Sequence, residues 1–384
     1  MSLKYSGSLI LFYCVVSLLS SCGVIQHSGK RQYLVDKNAT VETVALFHNL
    51  KRVMGKGVLF GHQDDTKNGF GWRNGYGQPR VSNLKSDLNE IAGSYPAVFG
   101  WDFSDIAGFY TGEAVAYERH ILRRLTIDAY NRGAANTYSW HYKNPVAKEG
   151  VFWKDTPVPA VSRILSGGDH NEVYKRSLKE IADFTKSLIG EDGKQIPIIF
   201  RPFHEMDGDW FWWGKGHCTI EEYKQLYRFT VSYLRDSLSV HQFLFAWSPD
   251  LHFTNVDEYL NYYPGDEYVD LLGMDNYWDL SPDGNLEIGM KKLKIVGDIA
   301  ARKHKLAALT ETGLQNLTQP NWYTRNLLPV IKSAGIAYVL IWSNSKDAYW
   351  TPHKESAAVA DFLSFRKDPY VIFLEKFSNM YKVK

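Results

Sequence analysis

Cysteine, long apolar runs and clustered charge are all scarce in this chain of 384 residues. Of its three cysteines, Cys14 and Cys22 lie near the amino terminus and only Cys218 lies in the body of the chain. That count excludes a fold held together by a framework of disulfides. The 44 Lys and Arg residues nearly balance 42 Asp and Glu residues and form no basic block, so the chain lacks the electrostatic footprint of a nucleic-acid-binding protein.

Low-complexity segments and short sequence repeats are also absent, which argues against linkers between domains and against a solenoid. The chain is instead ordinary in its 45 % hydrophobic and 22 % charged residues, as a globular protein is. Its aromatic content stands out, with 12 Trp, 24 Tyr and 20 Phe residues. Aromatic rings fill cores, and they also stack on the apolar faces of cyclic ligands such as sugars.

The amino-terminal sequence predicts an export signal. A short apolar stretch over residues 9–19 follows Lys4 and is too short to span a membrane, which takes roughly 20 apolar residues. It ends in Leu-Ser-Ser-Cys at residues 19–22, which resembles a bacterial lipobox, although an ordinary secretory signal cleaved nearby is the alternative. We expect a lipoprotein signal peptide over residues 1–22 with lipid on Cys22, a tether over 23–38 and a catalytic domain over 39–384.

The location that follows from this signal is the cell envelope. The sequence after Cys22 has no acidic run of the kind that resembles a surface-export signal, which favours the periplasmic face over the outer surface. With Cys14 removed and Cys22 modified, Cys218 has no partner within the chain. We expect a monomer whose membrane attachment depends on the lipid alone.

Eight short apolar runs recur along the chain, and each ends in polar or aromatic residues. They occupy residues 57–63, 96–103, 134–141, 196–205, 242–249, 270–278, 305–313 and 336–344. Near-continuous apolar strands are typical of parallel sheets covered on both faces. Amphipathic helices with a spacing near 3.6 are predicted over 82–92, 114–131, 172–188, 219–236, 286–303 and 322–333, with further helices near 40–54 and 355–365.

Alternating strands and helices predict an α/β protein of the (β/α)8 barrel class with a single catalytic domain. A doubly wound open sheet is the alternative. Active sites of such barrels lie at the carboxyl ends of the strands. The residues placed there form the candidate pocket, namely His62, Asp102, His141, Glu205, Trp247, Asp275, Tyr277, Glu311 and Trp342.

Two glutamates end the fourth and seventh runs, Glu205 in RPFHEMDGDWFWWG and Glu311 in ALTETG. Glycoside hydrolysis needs such a pair, because one carboxyl must donate a proton while the other attacks the sugar or activates water. A salt bridge at the rim is the structural alternative for either residue.

These two motifs, together with SWHYKNP around His141 and MDNYW at residues 274–278, resemble glycoside hydrolase family 26, a barrel family with many β-mannanases. The resemblance covers essentially the whole mature chain. It implies a retaining enzyme that uses no cofactor and no metal, with Glu205 as acid/base and Glu311 as nucleophile, and carboxyl groups about 5–5.5 Å apart. The implied substrate is mannan, glucomannan or galactomannan.

The resemblance also assigns roles around the two glutamates. His204 orients the nucleophile or binds near the cleaved bond, Tyr277 hydrogen-bonds the nucleophile, and Trp342 forms the floor beneath the sugar. His141 and Trp210 line subsites on either side. Weaker substrate-binding candidates are His62, Trp101, Asp102, Trp247 and Asp275. For the tryptophans core packing is an equal alternative, and for each histidine the alternative is a satisfied buried hydrogen bond.

Other functions stay open at this stage. A metal hydrolase is disfavoured because the histidines show no zinc-binding spacing. A non-catalytic glycan-binding lipoprotein would need only the aromatic platforms and not both glutamates. Within the same family, β-1,3-xylan and mixed-linkage β-glucan are alternative substrates, and endo and exo action cannot be separated from the sequence.

Overall fold

Eight parallel strands close into a barrel. The computed structural model describes residues 31–78, 85–108, 111–377 and 379–382. The strands are β1 (Val58–Gln63), β2 (Val98–Asp102), β3 (Ala135–Trp140), β4 (Ile198–Pro202), β5 (Phe243–Trp247), β6 (Leu271–Asp275), β7 (Leu306–Thr312) and β8 (Tyr338–Ile341). Neighbours pair in chain order, and β8 pairs back onto β1 with Leu59 opposite Tyr338. The closed ring confirms the (β/α)8 prediction and excludes the open sheet, which would leave two edges.

Of the α-helices in the described part of the chain, eight lie between successive strands, one precedes β1 and one follows β8. They are α1 (Val41–Val53), α2 (Asp87–Ala92), α3 (Glu113–Asn131), α4 (Val161–Ile164), α5 (Asn171–Lys186), α6 (Ile220–Ser232), α7 (Val256–Tyr259), α8 (Leu286–Arg302), α9 (Leu328–Lys332) and α10 (Val359–Lys367). Wider π-helical turns, Tyr233–Ser237 and Tyr323–Leu327, follow α6 and precede α9. The one-turn helix α7 was not predicted, because four residues are too short to show helical periodicity.

Short elements complete the fold. Asn68–Gly69 and Trp72–Arg73 form a small antiparallel pair above β1, and Val371–Ile372 pairs beside β1. Single 3-10 turns occupy Gln315–Leu317 and Leu374–Lys376.

Capping side chains fix where several helices begin. The hydroxyl of Thr219 accepts the backbone N–H of Glu222, whose carboxylate accepts the N–H of Thr219, so the predicted capping box is present. The predicted helix over 82–92 instead begins at Asp87, since Ser86 is its N-cap and accepts the N–H of Asn89. Residues 82–84 lie outside the described part of the chain.

Burial explains the apolar strand pattern. Every residue of the eight barrel strands is buried except Asp102, the last residue of β2, which is half-buried. Inward side chains fill the barrel and outward side chains pack beneath the helices, so neither face needs polar residues. The polar side chains that remain in the strands are concentrated toward the carboxyl ends, where the candidate site lies.

The amino-terminal segment covers the floor of the barrel, at the opposite end from that rim. Leu34 is 2 % exposed, and the backbone N–H of Val35 donates to the buried carboxylate of Asp270 at 2.7 Å. His241 pairs with Asp36 at 2.7 Å. Residues 31–38 therefore pack on the barrel floor, whereas residues 23–30 of the predicted tether over 23–38 lie outside the described part of the chain.

The helix predicted near 40–54 also lies on the floor, as α1. The backbone N–H of Thr40 donates to His241 O at 2.9 Å, and Lys51 Nζ donates to Lys305 O at 2.6 Å. Both acceptors come just before barrel strands. Among the described residues, no helix combines the length and apolar character needed to cross a membrane.

Candidate active site

The chain leaves β4 through a constrained turn that carries Glu205. Phe203 and Glu205 both adopt left-handed backbone angles, with φ of 52° and 55°. Non-glycine residues avoid this region unless the surroundings enforce it, and such strain is concentrated at functional sites. Hydrogen bonds supply the enforcement here, from Glu205 N to Ser248 O at 2.9 Å and from Trp213 Nε1 to His204 O at 2.8 Å.

Glu311 lies near the end of β7 with hydrogen-bond donors facing both of its carboxylate oxygens. Arg201, from β4, donates through Nη2 to Glu311 Oε1, and Tyr277 donates its hydroxyl to Oε2 at 3.1 Å. Arg201 is buried and also donates through Nη1 to Asp275 Oδ2 at 2.7 Å. The other oxygen of Asp275 accepts from Thr310 Oγ1 at 2.6 Å. Glu311 is thereby held as an acceptor in one fixed orientation.

Glu205 occupies a different environment. Burial raises its pKa well above the usual range, and the negative charges of Asp275, Glu311 and Asp250 add to that rise. One opposing contact is the hydrogen bond from Trp210 Nε1 to Glu205 Oε2 at 2.7 Å. These surroundings favour the protonated form of Glu205, which is the state a general acid needs.

Two histidines of the rim stand edge to face. The rings of His141 and His204 lie 4.7 Å apart with an interplanar angle of 78°. Burial, Arg201 and His141 lower the pKa of His204, which keeps its imidazole neutral. Neither ring nitrogen of His204 has a hydrogen-bond partner among the described residues, although both are buried. A buried unpartnered donor and acceptor in a cleft is suited to contact a polar ligand.

His141 is oriented from behind by Asp102. His141 Nδ1 and Asp102 Oδ2 lie 2.5 Å apart, and Ser139 Oγ donates to the same oxygen at 2.9 Å. Burial opposes the charged imidazolium, but the Asp102 carboxylate outweighs it and raises the pKa of His141. Asp102 therefore lies behind His141, and its predicted contact with substrate is better described as positioning of that ring.

Aromatic side chains line the space around the histidines. Trp342 is half-buried with its ring 5.8 Å from that of His141. Phe211, which the sequence did not single out, lies 5.6 Å from His141 and 5.1 Å from His204. Trp210 remains partly exposed, whereas Trp212 and Trp213 are buried. As predicted, only part of the aromatic cluster after Glu205 can face a ligand.

Two other predicted candidates, both tryptophans, lie in the core. Trp247 is fully buried, with its ring 5.2 Å from Tyr259 and from Tyr263. Trp101 is also fully buried and donates to Asn136 Oδ1 at 2.7 Å. These placements argue against substrate contact, because both indoles are fully buried among other side chains of the core.

His62 is a satisfied core histidine. It is 1 % exposed, with Nδ1 2.8 Å from Asp65 Oδ1 and Nε2 3.2 Å from Thr351 Oγ1. Asp275 is fully buried and acts on the site through Arg201 and Glu311. The role of Arg201 was not predicted, although a charged residue inside an otherwise apolar strand was a signal for it.

A metal could in principle be held by three of these residues. Ligand atoms of His204, Asp275 and Glu311 all lie within 4.8 Å of one another. Both carboxylates are already paired with the guanidinium of Arg201, which supplies the positive charge there. A cation would have to compete with this buried arginine, so the donor set does not fit a resident metal well.

The rim therefore combines a protonatable carboxyl, a fixed carboxylate, a neutral imidazole and aromatic walls. These are the groups that glycoside hydrolysis requires. The model of glycosyl hydrolase family 26 matches residues 35–372. The chain belongs to that family, as the resemblance of its motifs had indicated.

Similar proteins agree with this assignment. The chain is 40 % identical over 301 residues to a mannan endo-1,4-beta-mannosidase of Bifidobacterium adolescentis, a match that covers 74 % of this chain and 28 % of that protein. The structure of GH26C from Muricauda sp. superposes with a TM-score of 0.86 at 38 % identity, covering 93 % of this chain and 98 % of that one. A family 26 beta-mannanase from Bacteroides ovatus, BoMan26A, gives a TM-score of 0.81 at 36 % identity, covering 90 % and 98 %.

The curated relatives are longer proteins. The chain spans 28 % of the Bifidobacterium enzyme and 64 % of the mannan endo-1,4-beta-mannosidase A and B of Caldalkalibacillus mannanilyticus. The region matched by the family model, residues 35–372, contains all eight barrel strands.

Proposed function

We propose that this chain hydrolyses β-1,4-mannosidic linkages in mannan, glucomannan or galactomannan, with retention of configuration at the sugar. The observation that carries the proposal is the contrast between two carboxyl groups on one rim. Burial and neighbouring negative charges favour the protonated form of Glu205, while donors fix both oxygens of Glu311. The substrate is proposed from the relatives, which are named as mannan endo-1,4-beta-mannosidases.

The reaction would proceed in two displacements. Glu311 attacks C1 of the sugar as Glu205 gives its proton to the glycosidic oxygen, so the C1–O bond breaks and a glycosyl ester of Glu311 forms. Glu205, now a carboxylate, takes a proton from water, and that water attacks C1 and releases Glu311. Each displacement inverts C1, and the two together restore its configuration.

Neighbouring residues have distinct parts in this scheme. Arg201 and Tyr277 orient Glu311 for attack and compensate its charge when the ester breaks. His204 offers an unpartnered imidazole to sugar hydroxyls, while Trp342 offers a ring face to sugar C–H groups. The predicted carboxyl separation of about 5–5.5 Å belongs to this mechanism and stays a prediction.

The test is incubation of the purified protein with mannan, β-1,3-xylan and mixed-linkage β-glucan, followed by sizing of the products over time. Mannan alone should be cleaved, and NMR of the first product should show the β-anomer. A range of product lengths would indicate endo action, whereas mannobiose alone would indicate exo action. Cleavage of xylan or glucan in place of mannan would contradict the substrate assignment, and an initial α-anomer would contradict retention.

Trp210→Phe should move the alkaline limb of the pH–activity profile to higher pH. The indole N–H stabilises the charged form of Glu205, so its removal raises the pKa of the acid further. The first displacement needs protonated Glu205, and kcat/KM for a mannan oligosaccharide should therefore persist to higher pH. Trp342→Phe removes an indole from the same cleft without touching Glu205 and should leave the limb in place. A limb that stays fixed in Trp210→Phe would show that this hydrogen bond does not tune the acid.

We further propose that the chain is a monomeric lipoprotein, anchored through Cys22 on the periplasmic face. Support comes from the lipobox-like sequence, which lies outside the described residues. In addition, residues 31–38 pack on the barrel floor, so a tether over 23–30 would leave from the end opposite the cleft. Cys22→Ala should move the protein from the membrane fraction to the soluble periplasmic fraction and abolish labelling by palmitate. Unmodified wild-type protein in the soluble fraction would refute the anchor.

A further inference from the structure

Trp278 is the most exposed tryptophan of the chain. It is 59 % exposed, the largest value among the large hydrophobic side chains of the described residues. The other eleven tryptophans, all within the described ranges, are buried or half-buried. An exposed indole forgoes the stabilisation that burial of a large apolar side chain provides.

The loop that carries this exposed indole is itself firmly packed. Asn276 Nδ2 donates to Asp279 Oδ2 at 2.9 Å, and Asp279 N donates to Asn276 Oδ1 at 3.0 Å, so the two side chains close a tight turn around Trp278. Lys292 of α8 pairs with Asp279 at 2.8 Å, and all three residues are buried. Exposure of Trp278 is therefore not a sign of a poorly ordered segment.

Further contacts fix the carboxyl side of the same loop. The carbonyl oxygen of Leu280 accepts from Trp322 Nε1 at 2.6 Å and from Asn326 Nδ2 at 2.9 Å. Gly284 packs so close that a Cβ there would lie 2.0 Å from the carbonyl oxygen of Trp278. A rigid backbone holds the indole in place before any ligand arrives, which reduces the entropy lost on binding.

The loop is also tied directly to the strand that carries Glu311. Asn276 N donates to Glu311 O at 3.0 Å, and Thr312 Oγ1 donates to Asn276 O at 2.7 Å. Tyr277, whose hydroxyl donates to Glu311 Oε2, is the residue directly before Trp278. Adjacent Cα atoms lie about 3.8 Å apart, so the backbone of Trp278 lies next to the tyrosine that contacts Glu311.

We propose that Trp278 is a stacking platform for a sugar ring of the bound β-mannan chain, at a position beyond the cleaved linkage. The proposal rests on the proposed mannan hydrolase function and extends it to a binding residue outside the catalytic cluster. Its basis is an exposed indole on a rigid loop, mounted beside the tyrosine that contacts Glu311. A pyranose ring presents a face of C–H groups that packs against an aromatic face. Without a ligand, the indole of Trp278 stays in contact with water and contributes no such packing.

The experiment compares substrates of different length. In Trp278→Ala, KM for mannohexaose should rise about 3- to 12-fold, as expected for one aromatic stacking contact, with a much smaller change for mannotriose. The value of kcat at saturation should be preserved, because Trp278 does not touch the reacting atoms. Trp278→Phe, which keeps an aromatic face, should recover most of the lost affinity.

A matched control and a binding measurement separate the possible outcomes. Tyr33→Ala removes an exposed aromatic ring from the floor of the barrel and should leave both substrates unaffected. Calorimetric binding of mannohexaose to Glu311→Gln, with and without Trp278→Ala, should show the same 3- to 12-fold loss without turnover.

Two results would overturn the platform. An unchanged KM for mannohexaose in Trp278→Ala would show that the indole does not bind the mannan chain. An equal rise in KM for mannohexaose and mannotriose would show that its effect lies at the catalytic centre. Failure of the wild-type protein to cleave any mannan would refute the proposed function itself, which this comparison detects separately.

Discussion

Glu311→Ala should lower mannan hydrolysis by about 10⁵-fold or more, the order expected when the nucleophile of a covalent mechanism is removed. No other described carboxylate of the site can take over the attack, because Asp275 is fully buried behind Arg201 and Glu205 is required as the acid. The measurement is kcat/KM on mannan and on an aryl β-mannobioside. Both substrates should lose activity alike, since both need a nucleophile at C1.

Chemical rescue distinguishes loss of the nucleophile from a general loss of structure. Azide can occupy the space vacated in Glu311→Ala and attack C1 in a single displacement, so the product should be the α-mannosyl azide. Glu311→Gln preserves side-chain volume and should show that the barrel folds, by an unchanged circular dichroism spectrum. Glu267→Ala, an exposed glutamate on the floor side, is the control and should retain full activity. A loss in Glu311→Ala of less than about 100-fold would refute the assignment as nucleophile, since the two-step mechanism depends on it.

The strands and their order in the barrel could be predicted from the sequence, because a strand buried on both faces appears as a nearly continuous apolar run. Each apolar run contains one strand, and each run ends at the rim. Helix starts were predictable where a side chain caps the backbone, as Thr219 does. The single turn of α7 was not, since one turn gives no periodicity.

Site residues were predictable only in part, because position at a strand end does not decide which way a side chain points. His204 and His141 face the cleft, whereas His62, the next-to-last residue of β1, has both ring nitrogens occupied in the core. Trp247 likewise packs against Tyr259, the last residue of α7, and against Tyr263 in the loop that follows. Sequence alone cannot separate these cases, since the same residue type serves both purposes.

The role of Arg201 shows the opposite limitation. A charged residue within a buried strand signals a partner, but the partners Asp275 and Glu311 lie 74 and 110 residues away in the chain. Only the closed barrel brings β4, β6 and β7 together at one rim. Trp278 was missed for a related reason, because an indole in a motif looks the same whether it is buried or exposed.

Glu205→Ala should lower kcat/KM on mannan by about 10²- to 10⁴-fold, the usual contribution of a general acid–base residue. The loss should depend on the leaving group, unlike that of Glu311→Ala. A sugar alcohol is a poor leaving group and needs the proton of Glu205, whereas an acidic phenol leaves without it. With a dinitrophenyl β-mannobioside the first displacement should therefore survive, and the second, which needs Glu205 as a base for water, should become limiting.

Because the first displacement is then faster than the second, the glycosyl ester should accumulate. One experiment can therefore test the roles of both glutamates. Mixing Glu205→Ala with the dinitrophenyl substrate should give a burst of phenol equal to the enzyme concentration, followed by slow turnover. Mass spectrometry of the digested protein should place the added mannobiosyl mass on the peptide that contains Glu311. Azide needs no base, so it should restore turnover and yield the β-mannosyl azide, opposite to the anomer formed by Glu311→Ala. A slow enzyme without a burst, or the same azide anomer from both variants, would contradict the division of roles between Glu205 and Glu311.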